Sequence, residues 1–138
     1  MHLGVKYAMK KLLLPLIFIA SLFASELNWI NDYDQALKMA KQQNKDIYIF
    51  IGADECRFCV LFKKNALSKK PVIDRLNKEY IPVYLSRDQH KIPSHFETKG
   101  VPRHYFVGSD GKVFHEDRGS REKCGFLSIL DEAELQKE

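Results

Sequence analysis

With 138 residues, 45% of them hydrophobic and 29% charged, the chain is sized for one core, and no repeat, low-complexity tract or Pro/Gly-rich linker divides it. Its formal charge of +4 rests largely on Lys6, Lys10 and Lys11; from Ser25 onward the balance is +1, without a basic stripe or aromatic-basic interleaving, which excludes a nucleic-acid partner. Three cysteines cannot all pair within one molecule, and a chain of this size needs no staples, which argues against a structural disulfide framework.

The N-terminal stretch reads as an export signal. Met9-Lys10-Lys11 precedes an uncharged apolar segment from Leu12 to Ala20, followed by small residues around Ser21, Ala24 and Ser25. The segment falls short of the roughly 20 residues a membrane-spanning helix needs, and Pro15 interrupts it, which ranks cleavage above an uncleaved anchor. The expected division is a signal peptide over residues 1–24, with Met9 an alternative start, and one domain over residues 25–138. Leu22, at the minus-three position, departs from the usual small residue.

Helices and strands then alternate. Asp32, with Gln35 three residues on, caps a helix whose inner face is Tyr33, Ala36, Leu37 and Ala40 and which ends at Asn44. Asp46 to Ile51, apolar on both faces, is a central strand. A second helix follows Cys56-Arg57-Phe58-Cys59, with Phe58, Cys59, Phe62, Ala66 and Leu67 inward and Lys63 and Lys64 outward. A third starts at Pro71, a residue suited to the first helical turn, and turns Val72, Ile73, Leu76 and Tyr80 inward. Ile81 to Leu85 is a strand in which Pro82 requires a start or an edge. Ile92 and Phe96 suggest a short helix stopped by Gly100. Pro102 to Val107 and Lys112 to His115, joined by Ser109-Asp110-Gly111, make an antiparallel hairpin. The last helix carries Phe126, Leu127, Leu130 and Ala133, with Ser120 its expected cap. The fold class is α/β, a mixed sheet with helices on both faces.

Taken alone, Cys56-x-x-Cys59 is open to three readings: a redox pair, half of a zinc or copper site completed by Cys124, His90, His95, His104 or His115, or a small staple. The staple closes so short a loop that it constrains little of the unfolded chain. The metal reading lacks a second short-spaced ligand pair. Redox-silent binding is a further alternative.

The strand before the cysteine pair, the helix it opens, Gly100-Val101-Pro102 entering a later strand, the hairpin and the closing helix together resemble the thioredoxin superfamily over about residues 29 to 134. Within it the chain is similar to periplasmic thioredoxin-related proteins and to the C-terminal domain of membrane reductant transporters, which share the helix-break-helix seen here around Ser68 and Pro71. The resemblance implies an exported, periplasmic thiol-disulfide oxidoreductase, reductase in direction. It would act on protein disulfides, be recharged by a membrane or periplasmic redox partner, and need no metal or cofactor beyond its own dithiol. It also implies a cis bond before Pro102, leaving the Val101 backbone free to pair with substrate, with Arg57 and Phe58 contributing to the same surface.

At a helix N-terminus the Cys56 thiolate is favoured by unsatisfied N–H groups, so Cys56 is the nucleophile; Cys59, one turn on and more buried, resolves. An alkylation-rate titration of the reduced protein is expected to give a Cys56 midpoint below the ~8.5 of a free thiol. Glu55 stands where the family commonly has Trp, and Phe50 where it often has a buried carboxylate; Asp54 and Glu55 either accept a proton in its place or solvate the loop. Arg103 and His104 are expected in the substrate groove or at the surface, and Cys124 as a packed free thiol.

Overall fold

Helix α1, Tyr33–Gln43, is bounded as its end residues dictate. Asp32 Oδ1 accepts the Gln35 N–H at 2.9 Å, and Asn44 closes the helix in the left-handed region at φ 51°. Asp32→Ala is expected to cost about 1 kcal/mol in a urea titration, because one N–H of the first turn loses its acceptor. The computed structural model describes Gly4 and residues 26–137, so the signal-peptide reading of residues 1–24, Gly4 apart, lies outside the described residues.

The sheet is built on β1, Asp46–Gly52, in which Ile47 through Ile51 are fully buried. Its neighbours are β2, Tyr80–Ser86, parallel to it, and β3, Arg103–Val107, antiparallel; β4, Val113–Arg118, pairs antiparallel with β3, giving the order β2-β1-β3-β4. Pro82 lies on the edge strand. Its carbonyl accepts the Ile30 N–H at 2.9 Å, so its missing N–H faces the outer edge and removes no bond of the β1–β2 ladder.

Alternation along the strands divides the core in two. Tyr48, Phe50 and Phe106 point to the face covered by α2 (Arg57–Phe62), α3 (Lys70–Glu79) and α4 (Lys123–Leu135). Ile47, Ile49, Ile51, Tyr105 and Val107 point to the other face, against Tyr33, Ala36 and Ala40 of α1 and against Phe96. Helices thus cover both faces, as the alternating pattern implies.

Several local expectations are corrected. Residues 92–100 form no helix: Pro93 disfavours helix at Ile92, a single Phe96 N–H to Pro93 carbonyl bond of 3.0 Å turns the chain, and Phe96 anchors it between Tyr33 and Tyr105. Tyr80 opens β2 opposite Asp46 instead of ending α3. The second helical stretch is a six-residue α2 continued by a π-helical turn, Lys63–Leu67, before the break at Ser68. Phe58 is 58% exposed, not inward. Ser120 does not cap α4, which begins beyond Glu122 without a side-chain cap, because Gly119 at φ 100° and the Arg121–Asp117 ion pair of 3.0 Å carry the chain out of β4 first. Cys124 is exposed, since the inward stripe of α4 is Phe126, Ile129, Leu130 and Ala133 and residue 124 lies off it.

Candidate active site

The end of β1 delivers the chain to Cys56, the residue before α2, where extended backbone at φ −141° places its sulfur over the first helical turn. Cys56 Sγ accepts the Cys59 N–H at 3.1 Å. This is a direct contact with one of the N–H groups left unpaired at a helix start. The two cysteines are disulfide-bonded with Cα atoms 5.2 Å apart. Cys56 is half-buried and Cys59 is 2% exposed, so one sulfur faces outward and the other the core, as the spacing predicts.

Val101 and Pro102 come to the same place on the segment that enters β3, the strand paired with β1, where Arg103 is registered opposite Ile51. The Val101–Pro102 bond is cis, Pro102 is buried, and the Val101 carbonyl lies 3.9 Å from Cys56 Sγ. Arg57 and Phe58 are both exposed on the first turn of α2. The structure therefore gathers Cys56, Cys59, Arg57, Phe58, Val101 and Pro102 into one region.

A family model described as thioredoxin-like matches residues 28–109. The chain belongs to the thioredoxin-like family. This thioredoxin-like chain is 31% identical over 90 residues to an uncharacterized protein of Archaeoglobus fulgidus, a match covering 63% of this chain and 70% of the other. Among solved structures it is similar to a thioredoxin from Thermus thermophilus (TM-score 0.68, 22% identity, 80% of this chain and 89% of that one). It is also similar to the DsbH oxidoreductase (0.67, 19%, 78% and 84%) and to the oxidised DsbD C-terminal domain of Neisseria meningitidis (0.58, 20%, 76% and 98%).

His104 was expected in the groove or at the surface and is instead fully buried behind the site. A carbonyl only accepts, so its 2.7 Å contact with the Gly119 oxygen makes Nε2 the protonated nitrogen, leaving Nδ1 to accept from the Tyr48 hydroxyl at 2.8 Å. Burial, opposed by the Gly119 bond and Asp117, pulls its pKa down to about 4. Gly119 in turn donates its N–H to the Pro102 carbonyl at 2.8 Å, a link made at φ 100°, which a side chain would strain. His104 thus fixes the loop that fixes Pro102. The one sequence signal was its place between Arg103 and Tyr105 in a strand whose odd and even positions face different cores.

Phe50, the position of the absent carboxylate, is registered opposite His104, and its ring packs on Phe62 with centroids 5.3 Å apart. Asp54 Oδ1 accepts from Ser86 Oγ at 2.9 Å and from Gln89 Nε2 at 2.7 Å, tying the β1–α2 loop to the end of β2. Glu55 is exposed. Gly52 admits a close approach, since a Cβ there would meet Tyr84 Oη at 3.1 Å and Cys59 Sγ at 3.5 Å. The histidines do not converge: the His90 ring takes the Ser86 N–H at 2.8 Å, His95 lies against Phe96, and His115 lies beside Glu132. Among the described residues no group of three or more His, Cys, Asp or Glu is placed to hold a metal.

Proposed function

We propose that this protein is a thiol-disulfide oxidoreductase that reduces disulfides of exported proteins. The observation that carries this reading is the Cys56–Cys59 disulfide, with its outer sulfur on the Cys59 N–H and facing the carbonyl of Val101. In the dithiol form, the Cys56 thiolate attacks one sulfur of a substrate disulfide; a mixed disulfide forms and the other substrate sulfur leaves as a thiolate that takes up a proton. Cys59 then loses its proton and attacks Cys56 Sγ, closing the Cys56–Cys59 bond and releasing the second substrate thiol. Two electrons pass from the dithiol to the substrate. Arg57, Phe58 and the backbone of Val101 line the surface on which an extended substrate segment is held.

The reductase direction and a membrane or periplasmic donor that recharges the dithiol rest on the likeness to reductant-carrying domains, and the periplasmic compartment on the export signal read in residues 1–24. No described helix is long and apolar enough to cross a membrane. The test is an insulin-reduction assay with a dithiol donor beside metal analysis of the reduced protein. Catalysed insulin reduction without stoichiometric metal is the expected result; tight stoichiometric metal with no turnover overturns the proposal in favour of metal binding.

A further inference from the structure

We propose that the rim beside Pro102 selects substrates in which acidic residues flank the disulfide, through the guanidinium groups of Arg103 and Arg118. This assignment rests on the oxidoreductase reading and names the substrate class of that same site. Arg103 and Arg118 stand directly opposite each other in the β3–β4 register. Like charges in that arrangement repel, so the pair is a local cost to the sheet that an incoming anion relieves. Their ends converge on one point: from where a Gly100 Cβ would sit, Arg118 Nη1 is 3.4 Å away and Arg103 Nη2 is 4.0 Å away. Gly100 adjoins Val101, whose carbonyl faces Cys56 Sγ, and Gly119, next to Arg118, is bonded to Pro102.

No ion pair among the described residues holds either guanidinium. Arg118 is exposed, and among the described residues no carboxylate lies within ion-pair distance of it or of Arg103, whereas neighbouring Arg121 holds Asp117 at 3.0 Å. Arg103 spends its Nε on the Lys99 carbonyl. Glu97, the acid that feels Arg103 electrostatically, has one carboxylate oxygen committed to the Thr98 and Lys99 N–H groups at 2.9 and 2.8 Å. The acids of the β1–α2 loop, Asp54 and Glu55, form no ion pair with either arginine. A planar, forked donor pair beside an extended-peptide site is suited to side-chain carboxylates of the bound segment.

The test uses two otherwise identical disulfide peptides, one flanked by Glu and one by Lys, with the dithiol form of the full chain. Wild type is expected to favour the Glu peptide in kcat/KM by about threefold or more at low ionic strength, with the difference collapsing at roughly 0.5 M salt. Arg118→Glu should reverse the order, and Arg103→Gln should weaken it; circular dichroism and the thermal midpoint check that both variants are folded. Equal rates for the two peptides in wild type, or an undiminished Glu preference in folded Arg118→Glu, overturn this assignment alone. Turnover of neither peptide overturns the oxidoreductase reading and this one with it.

Discussion

Cys59→Ser should lower multiple-turnover disulfide reduction by at least about a hundredfold and leave Cys56 covalently joined to its substrates. The reason is geometric. Cys56 Sγ is the half-buried sulfur, over the helix turn and beside Val101, so its attack on an external disulfide does not require Cys59; release does. Serine retains the position and removes the second nucleophile. Purification of this variant from its native host, followed by non-reducing separation and mass spectrometry, should recover mixed disulfides that dissolve on reduction. Their absence while Cys56 remained open to alkylation would sink the proposed function. Cys56→Ser, in contrast, should trap nothing, because Cys59 is 2% exposed.

The second large effect belongs to a residue with no chemistry in the reaction. His104→Leu is expected to destabilise the protein by about 2–4 kcal/mol, since it leaves the buried Tyr48 hydroxyl and the Gly119 carbonyl without partners. It should also change how stability depends on pH. The folded state holds His104 at about 4, below its ordinary 6.5, so between those values the unfolded chain binds the proton and the folded one does not. His104's contribution is therefore complete above about pH 6.5 and is lost as the pH falls towards 4, by roughly 3 kcal/mol in all. Urea titrations at pH 7.5 and 4.5 should show this decline in wild type and a flatter dependence in His104→Leu. An equal slope in both would show that other groups carry the acid sensitivity. Because Gly119 is bonded to Pro102, the variant should also lose activity beyond what its unfolded fraction explains.

Much of this architecture was legible in the chain because local rules decided it. Asp32 and Asn44 bound α1 through their own side-chain and backbone preferences, and the doubly apolar run Ile47 to Ile51 admits only a central strand. The cysteine spacing places two sulfurs one helical turn apart whatever surrounds them. The misreadings fall where local preference is weak and packing arbitrates. Residues 92–100 have helical spacing at Ile92 and Phe96, yet Phe96 gains more by wedging between Tyr33 and Tyr105 than a Pro-containing turn gains as a helix. Phe58 fits an apolar stripe on paper, but Cys59 and Phe62 take the inward face of the six-residue α2 and leave it exposed.

The sequence by its own patterns settled an α/β sheet and a dithiol at a strand-to-helix junction, each specified by residues near one another in the chain; that Val101-Pro102 faces the dithiol was implied by the resemblance and placed by the structure. Only the tertiary structure decided what supports that dithiol. It buries His104 against Gly119, registers Phe50 opposite that histidine, commits Asp54 to Ser86 and Gln89, and opposes Arg103 with Arg118 across a hairpin. These contacts join residues from different strands and loops, and their sign depends on burial and register, quantities that exist only once the chain has closed on itself.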